Sequence, residues 1–382
     1  MEPLISSVQQ LAEQADEAQR KKLIDTLNGL ALSIESPQDM MQRLLYLHVY
    51  ISVARVACDL QIFNHVVDSP VPIAASDIAA RTGAAPNLVA RILRYLASVG
   101  ALTETQEDTY TANKTTKTLA NPAWQGAIYH NFDFAWPCFL ALPEFLKETG
   151  YKDINDPTHC PFNKGHNSDK SAFEWLPQQP SLFPKFNQYM TIQRDGMPKW
   201  LDKFPYINYA TGVANDRPVF VDIGGGVGHQ SALLREALPD SITNPIIVQD
   251  LEAVVAQAPP DTGVQHMAHD FWQPQPIKGA RMYYMRNIMH DWPDDKAAII
   301  LRHTRDAMGP DSVLLIDEMV VPKTGAHWQA TQLDMMMMSV LGACERSQSQ
   351  WETLMASAGL KIKQFHQYTK SLNDCIIECE LL

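Results

Sequence analysis

From about Asp216 to Leu382 the chain alternates between short apolar runs and longer amphipathic stretches. The runs Val219–Ile223, Pro245–Gln249, Arg281–Met285 and Ser312–Asp317 predict strands, and the segments between them predict helices. Such alternation is the pattern of a parallel α/β sheet. Ile362–Tyr368 and Cys375–Leu381 close the chain as two strands on a short link, which predicts an antiparallel pair. Residues 1 to about 36 read as a helical arm with Leu11, Leu23, Leu27 and Leu30 on it, suited to packing on a partner chain. Met40–Asp59 reads as one long helix, Ala75–Gly83 and Asn87–Val99 as two shorter ones stopped by glycines. Leu102–Thr105 and Thr109–Ala112 alternate like the strands of a small hairpin. Helix, turn, helix and hairpin make a winged helix. Residues 120 to about 210 read as helical and rich in aromatics and prolines, either core or a lid over an apolar substrate.

These patterns divide the chain into a helical arm with a winged-helix domain (1–120), a helical connector or substrate lid (121–210) and an α/β domain (211–382). A winged helix serves DNA binding or dimerisation. The formal net charge of −12 favours dimerisation, because phosphate contacts need a basic surface. Hydrophobic residues make up 46% and charged residues 19% of the 382, as in an ordinary globular protein. No run of about 18 apolar residues suggests a membrane span, and Met1–Gln19 is unlike a signal peptide. Six scattered cysteines with no CxxC pair read as reduced thiols. A cytoplasmic protein is expected.

The segment Phe220-Val221-Asp222-Ile223-Gly224-Gly225-Gly226-Val227-Gly228-His229 runs from an apolar strand through an acid into a glycine loop. Strand, glycine turn and helix open a nucleotide-type pocket at the carboxyl edge of an α/β sheet. Asp250 ends the next strand, 26 residues after Gly224, near the spacing at which an acid meets a ribose. That spacing keeps NAD in contention. The loop lacks the sixth-position Gly or Ala of the dinucleotide fingerprint, and the Asp222 carboxylate would repel a pyrophosphate. Both features favour S-adenosylmethionine, which has an ammonium group and a ribose and no phosphate.

Further along, His290 and Asp291 follow a strand, Glu318 follows the next, and Glu345 precedes a helix. A histidine oriented by a carboxylate is a general base for a phenolic hydroxyl. Their scattered spacing gives no sign of a metal site.

With these motifs in order, nearly the whole chain resembles the class I S-adenosylmethionine-dependent O-methyltransferases of plant phenolic and fungal secondary metabolism. The resemblance implies a Rossmann-like sheet at the C-terminus and a mainly helical winged-helix dimerisation domain at the N-terminus. It matches the cofactor loop to Val221–Gly228, with Asp222, Gly224 and Gly226. It matches the ribose acid to Asp250 beside Leu251, the adenine-side pair to Asp270 and Phe271, and the basic residue near the cofactor carboxylate to Arg286. Its catalytic set corresponds to His290, Asp291, Glu318 and Glu345. The substrate wall would draw on Phe186, Met190, Arg194 and the Met335–Met338 run, Met337 among them. The resemblance implies a homodimer and a small aromatic or polyketide-type acceptor.

A second reading keeps the scaffold and changes the reaction. Some fungal relatives in this family act as pericyclases or dehydrating cyclases, holding the cofactor without transferring its methyl. The segment Tyr129–Phe134 motivates that reading, with His130 able to exchange a proton with a substrate beside Phe134, and Arg194 able to polarise a carbonyl. Those relatives replace the catalytic histidine by a cation, whereas His290 is present here. A cofactor-sensing winged-helix regulator is a third reading, opposed by the acidic charge.

Overall fold

The computed structural model describes residues 1–193, 196–260 and 263–382. Arg194, expected at the substrate, lies outside the described residues. The chain divides into two compact units, one of residues 1–148 and 161–196, the other of residues 149–160 and 197–382.

In the first unit the N-terminal arm is two helices, Glu2–Gln14 and Glu17–Ile34, and neither holds a buried residue. A capping box between Asp16 and Gln19 starts the second helix, which ends the single helix expected there. The expected Met40–Asp59 helix is likewise two, Pro37–Leu45 and Leu47–Asp59, broken at Tyr46. Only the later one buries side chains, Ala54, Ala57 and Cys58, so only its periodicity is tied to a core. The winged helix forms as expected. Strand β1 (Ile73–Ala74), helices Ala75–Thr82 and Pro86–Ser98, and strands β2 (Thr103–Gln106) and β3 (Thr109–Thr111) make it, in sheet order β1-β3-β2. Ile62, Phe63, Ile78, Leu93 and Tyr110 fill its core. Beyond it, helix Pro122–Tyr129 widens into a π-helical turn at His130–Ala135 before helix Trp136–Glu148.

The second unit is built on β4 (Phe220–Ile223), β5 (Ile246–Asp250), β6 (Gln265–Ala268), β7 (Met282–Arg286), β8 (Val313–Val321), β9 (Arg346–Ser347), β10 (Leu360–Gln367) and β11 (Asp374–Leu381). The order is β10-β11-β8-β7-β4-β5-β6, with β9 beside β8. The inner strands are parallel and β10 and β11 antiparallel, as read from the sequence. Strand β6 escaped the sequence reading because none of its four residues is fully buried and they carry no apolar pattern. Strand β8 runs on to Val321, so Glu318 sits inside the strand and not after it.

Side chains alternate between two cores, as the period of a strand requires. Val221, Tyr283, Met285, Leu314 and Ile316 meet helices Asp294–Arg305 and Gln348–Ser357 on one face. Phe220, Met282, Tyr284, Val313 and Leu315 meet Trp200, Phe204 and Leu234 on the other. Burial on both faces explains the near-continuous apolar runs. Among the described residues no helix is long and apolar enough to cross a membrane, and all six cysteines are free thiols.

Candidate active site

The carboxyl ends of β4, β5, β7 and β8 collect the residues expected to carry chemistry. The loop after β4 turns on positive φ at Gly224, Gly226 and Gly228, +70°, +62° and +89°. A Cβ on Gly224 would lie 2.6 Å from Ile288 Cδ1, and one on Gly225 would lie 2.5 Å from Asp222 Cγ. A Cβ on Gly226 would meet nothing within 4 Å, so that side of the loop is open. The amides of Gly224 and Gly225 donate to Gln249 O at 2.8 and 3.1 Å, and that of Gly228 donates to Gly225 O. The Gly226 amide donates to Asp250 Oδ2 at 2.8 Å. With these donors satisfied inside the protein, the loop is ill suited to cradle a pyrophosphate. A phosphate-free nucleoside fits better.

Asp222 requires a correction. It was expected to meet the ligand's ammonium group, but its carboxylate is buried beneath the loop and accepts from Ser231 Oγ at 2.7 Å. Burial pushes its pKa up to about 7, against Ser231 and Arg286, which favour the charged form. Its effect on a ligand runs through the loop it supports. Asp250 accepts from its neighbours, Leu251 N on Oδ1 at 2.7 Å and Gly226 N on Oδ2, and keeps further lone pairs. Leu251 beside it is 56% exposed, a large apolar side chain left open to solvent. Asp270 Oδ1 accepts from Trp272 N at 3.0 Å, and Phe271 packs against Trp272 and Trp292 with centroids 5.4 and 6.3 Å away. Arg286 pairs with buried Asp317 at 3.5 Å.

His290 lies in a short turn, Met289–Asp291, and is buried. Its Nδ1 is 2.7 Å from Glu345 Oε1 and 3.8 Å from Glu318 Oε2, and its Nε2 is 3.4 Å from Asp291 Oδ1. One polar atom from each of His290, Glu318 and Glu345 falls within 4.8 Å of the others. Positions scattered along the chain are thus gathered in the fold, which the spacing argument did not foresee. Glu318 Oε1 accepts from the amides of Ile288, Met289 and His290 at 2.8, 2.8 and 3.3 Å, so it fixes the turn's backbone as well as facing its ring. Burial pulls His290 toward the neutral form, but Glu318, Glu345 and Asp291 outweigh it and raise its pKa to about 10. Burial raises Glu318, and it raises Asp291 to about 6.

Several supporting residues were not singled out from the sequence. Arg346, fully buried, donates to Met289 O and Trp292 O at 2.7 Å each and to Asp294 Oδ1 at 2.8 Å, clamping the loop that carries His290. Asp334 accepts from Glu345 N at 2.9 Å. Asp317 accepts from Tyr284 Oη at 2.5 Å and Tyr368 Oη at 2.7 Å. An acid inside the run Val313–Val321 was the one visible signal, since strand interiors rarely keep an unpaired charge.

Of the expected substrate residues, His130, Phe134, Phe186 and Met190 belong to the first unit and Met337 to the second. His130 opens the π-helical turn, a rare geometry that is frequent at functional sites. Its ring lies 5.0 Å from Phe134, 5.4 Å from Phe186 and 5.5 Å from Tyr189. Burial lowers its pKa to about 4, and its Nδ1 is buried without a hydrogen-bond partner. Met190 Sδ accepts from Gln193 Nε2. Met337 is buried in helix Trp328–Leu341, whereas Met335 is 41% exposed, so the four methionines do not share one face.

Residues 155–361 match an O-methyltransferase domain, and residues 42–122 match an O-methyltransferase dimerisation domain. The chain is 38% identical over 369 residues to demethylsterigmatocystin 6-O-methyltransferase of Aspergillus parasiticus, covering 96% of this chain and 95% of that one. It is 38% identical over 367 residues to O-methyltransferase lepI of Aspergillus flavus, covering 95% and 94%. Among solved structures, LepI in complex with SAM superposes with a TM-score of 0.94 at 36% identity, over 100% of this chain and 98% of that one. A structure described as a pericyclic reaction enzyme matches to the same extent. The chain therefore belongs to the S-adenosylmethionine-dependent O-methyltransferase family, with a Rossmann-like catalytic domain and an N-terminal helical dimerisation domain.

Proposed function

We propose that this protein transfers the methyl group of S-adenosylmethionine to a hydroxyl of an aromatic or polyketide-type metabolite, with His290 as the base. The observation that carries this reading is the buried set in which Glu345 fixes His290 Nδ1 at 2.7 Å. Asp291 flanks the other ring nitrogen, and Glu318 holds the turn. The cofactor supplies an electrophilic methyl on a sulfonium sulfur. Asp250 would bind its ribose, Leu251 and Phe271 would enclose its adenine beside Asp270, and Arg286 would meet its carboxylate. Gly224 and Gly226 leave the backbone close enough for that ligand, and Asp222 supports them from below. A held acceptor oxygen and a held methyl make a bimolecular transfer effectively unimolecular. Mass spectrometry with labelled-methyl cofactor and a panel of phenols and enols tests this. A labelled product that disappears in His290→Ala supports methyl transfer, and the absence of any methylated product across the panel counts against it.

We further read the enzyme as a cytoplasmic homodimer through the winged-helix region, with 1–120, 121–210 and 211–382 as dimerisation, substrate-covering and cofactor segments. The apolar arm residues Leu4, Leu11, Leu30 and Leu44, each more than half exposed in a single chain, support a partner there.

One observation favours a second reading. His130 is buried, favoured in its neutral form by that burial, and short of a partner on Nδ1, which suits a hydrogen-bond donor toward a polyketide carbonyl. On that reading the protein is a cofactor-binding pericyclase or dehydrating cyclase, in which His130 would exchange a proton with a substrate beside Phe134. A His290→Ala protein that still converts a polyene or quinone-methide precursor, with cofactor unconsumed, would favour it over methyl transfer.

A further inference from the structure

We propose that His290 Nδ1, Glu318 and Glu345 form a binding site for a divalent transition-metal ion of the zinc class, and that an ion held there switches the base off. The site stands on its geometry, and only its inhibitory effect rests on the methyl-transfer reading. One polar atom from each of the three residues lies within 4.8 Å of the other two. Zinc ligands at bond lengths of about 2.0–2.2 Å stand about 3.3 Å apart around a tetrahedral centre. Nδ1 is 2.7 Å from Glu345 Oε1 and 3.8 Å from Glu318 Oε2, spacings that straddle that value. Side-chain shifts of about half an ångström complete a set of three protein ligands, with a fourth position left for water.

The surroundings carry excess negative charge. Three carboxylates, those of Glu318, Glu345 and Asp291, surround one imidazole, and even a protonated ring offsets only one of them. Among the described residues no lysine or arginine pairs with any of the three. Arg346 is taken up by Asp294 and two backbone carbonyls, and Arg286 by Asp317. Oε1 of Glu318 accepts from three backbone amides, but its Oε2, facing the ring, is buried with no hydrogen-bond partner. Oε2 of Glu345 is buried without one as well. Glu318 is 1% and Glu345 5% exposed. Buried carboxylates of this kind are paired or bind a metal. The imidazole selects the ion, since it suits zinc and its transition-metal neighbours, whereas magnesium prefers oxygen ligands.

The ion takes the place of the Nδ1 proton, which leaves to solvent. The ring's remaining proton then sits on Nε2, facing Asp291 at 3.4 Å. A protonated Nε2 has no lone pair for the proton of an acceptor hydroxyl. Glu345, which otherwise fixes the ring by accepting from Nδ1, binds the ion instead. The base is lost while the glycine loop after β4 stays as it is.

Zinc titration of the full, untagged chain against a chromophoric chelator tests the site without turnover. One ion per chain at about 1 μM or tighter is expected, and cobalt should give a visible absorption band at the same site. His290→Asn should abolish the site. Glu345→Gln should weaken it about 10-fold or more, as loss of even a supporting group does, with melting temperatures confirming folded proteins. Asp291→Asn removes a neighbouring charge and keeps all three ligands, so it should cost less than Glu345→Gln. Absence of a site, or equal losses in Asp291→Asn and Glu345→Gln, would overturn the proposal. Displacement of the ion by magnesium would overturn the metal class. In turnover, zinc should abolish methyl transfer and a chelator restore it, with S-adenosylhomocysteine affinity unchanged. Unimpaired transfer with the ion bound through His290 would overturn the inhibitory effect. Failure of the methyl-transfer reading shows separately, as no methylated product from the metal-free enzyme.

Discussion

Asp317 and Glu318 are consecutive in β8, and their carboxylates serve opposite faces of the sheet. Asp317 accepts from Tyr284 and Tyr368 in the core that contains Trp200. Glu318 accepts from the amides of Ile288, Met289 and His290 beside the other core. One dipeptide thus holds Arg286 through its first residue and the His290 turn through its second. The two-residue period of a strand makes this possible, since neighbouring side chains diverge.

Asp317→Ala should destabilise the protein strongly. It strips the acceptor from two buried tyrosine hydroxyls and leaves Arg286, 19% exposed, without its carboxylate. Breaking a buried pair from one side costs about 3–5 kcal/mol. Urea unfolding measures it, and a loss under about 1 kcal/mol would mean that the network relaxes around the gap. S-adenosylhomocysteine affinity, measured at a temperature where the variant is folded, should also fall, because nothing then fixes Arg286.

Gly225→Ala should damage the cofactor loop more than its size suggests. The added methyl would meet Asp222 Cγ at 2.5 Å, and Asp222 is itself held by Ser231. Either the loop lifts or the carboxylate turns, and both disturb the Gly226–Asp250 bond. Weakened S-adenosylhomocysteine binding by calorimetry, by about 10-fold or more, is expected. Gly226→Ala tests a different element, because its Cβ meets no protein atom and its φ of +62° alone opposes the change.

The sheet and the winged helix were legible in the sequence because burial leaves a one-dimensional trace. Phe220–Ile223 and Val313–Ile316 are buried on both faces, are mostly apolar, and read as strands at once. Strand β6 left no trace because Gln265–Ala268 sits at the sheet edge with no fully buried residue. Glu318 and Glu345 were recognisable by type and order, but their convergence on His290 depends on β7, β8 and β9 being adjacent, a tertiary fact. Asp222 misled because a strand-end acid is compatible with facing a ligand or supporting a loop. Only the Ser231 hydroxyl nine residues on decides between them.

Arg346→Met should loosen the loop that carries His290. The guanidinium satisfies Met289 O, Trp292 O and Asp294, and it lies over Trp351 with 5.3 Å to the ring centre. Methionine keeps much of the volume and provides no donor, so two carbonyls lose partners at about 1–3 kcal/mol each. A lower kcat with S-adenosylhomocysteine affinity nearly unchanged is the expected signature, since the clamp touches the base and not the glycine loop. Equal losses in both would point to general unfolding.

Stability should decline toward alkaline pH, and His290 sets the sign. Its folded pKa, about 10, lies above the ordinary 6.5. The folded state therefore binds a proton that the unfolded chain releases in between, and unfolding free energy falls as pH rises through that window. The contribution is complete below about pH 6.5 and gone above about pH 10, on the order of a few kcal/mol. Asp291, raised to about 6 by burial, acts in the same direction at lower pH. In His290→Asn the decline from about pH 6.5 to 8.5 should largely disappear, leaving above it the part due to the buried thiols Cys58, Cys375 and Cys379, whose pKa burial raises. Unfolding midpoints from about pH 6 to 10 for both proteins decide it. Parallel curves would mean that His290 is neutral in the folded enzyme, and the carboxylates around it would then have to carry the missing proton themselves.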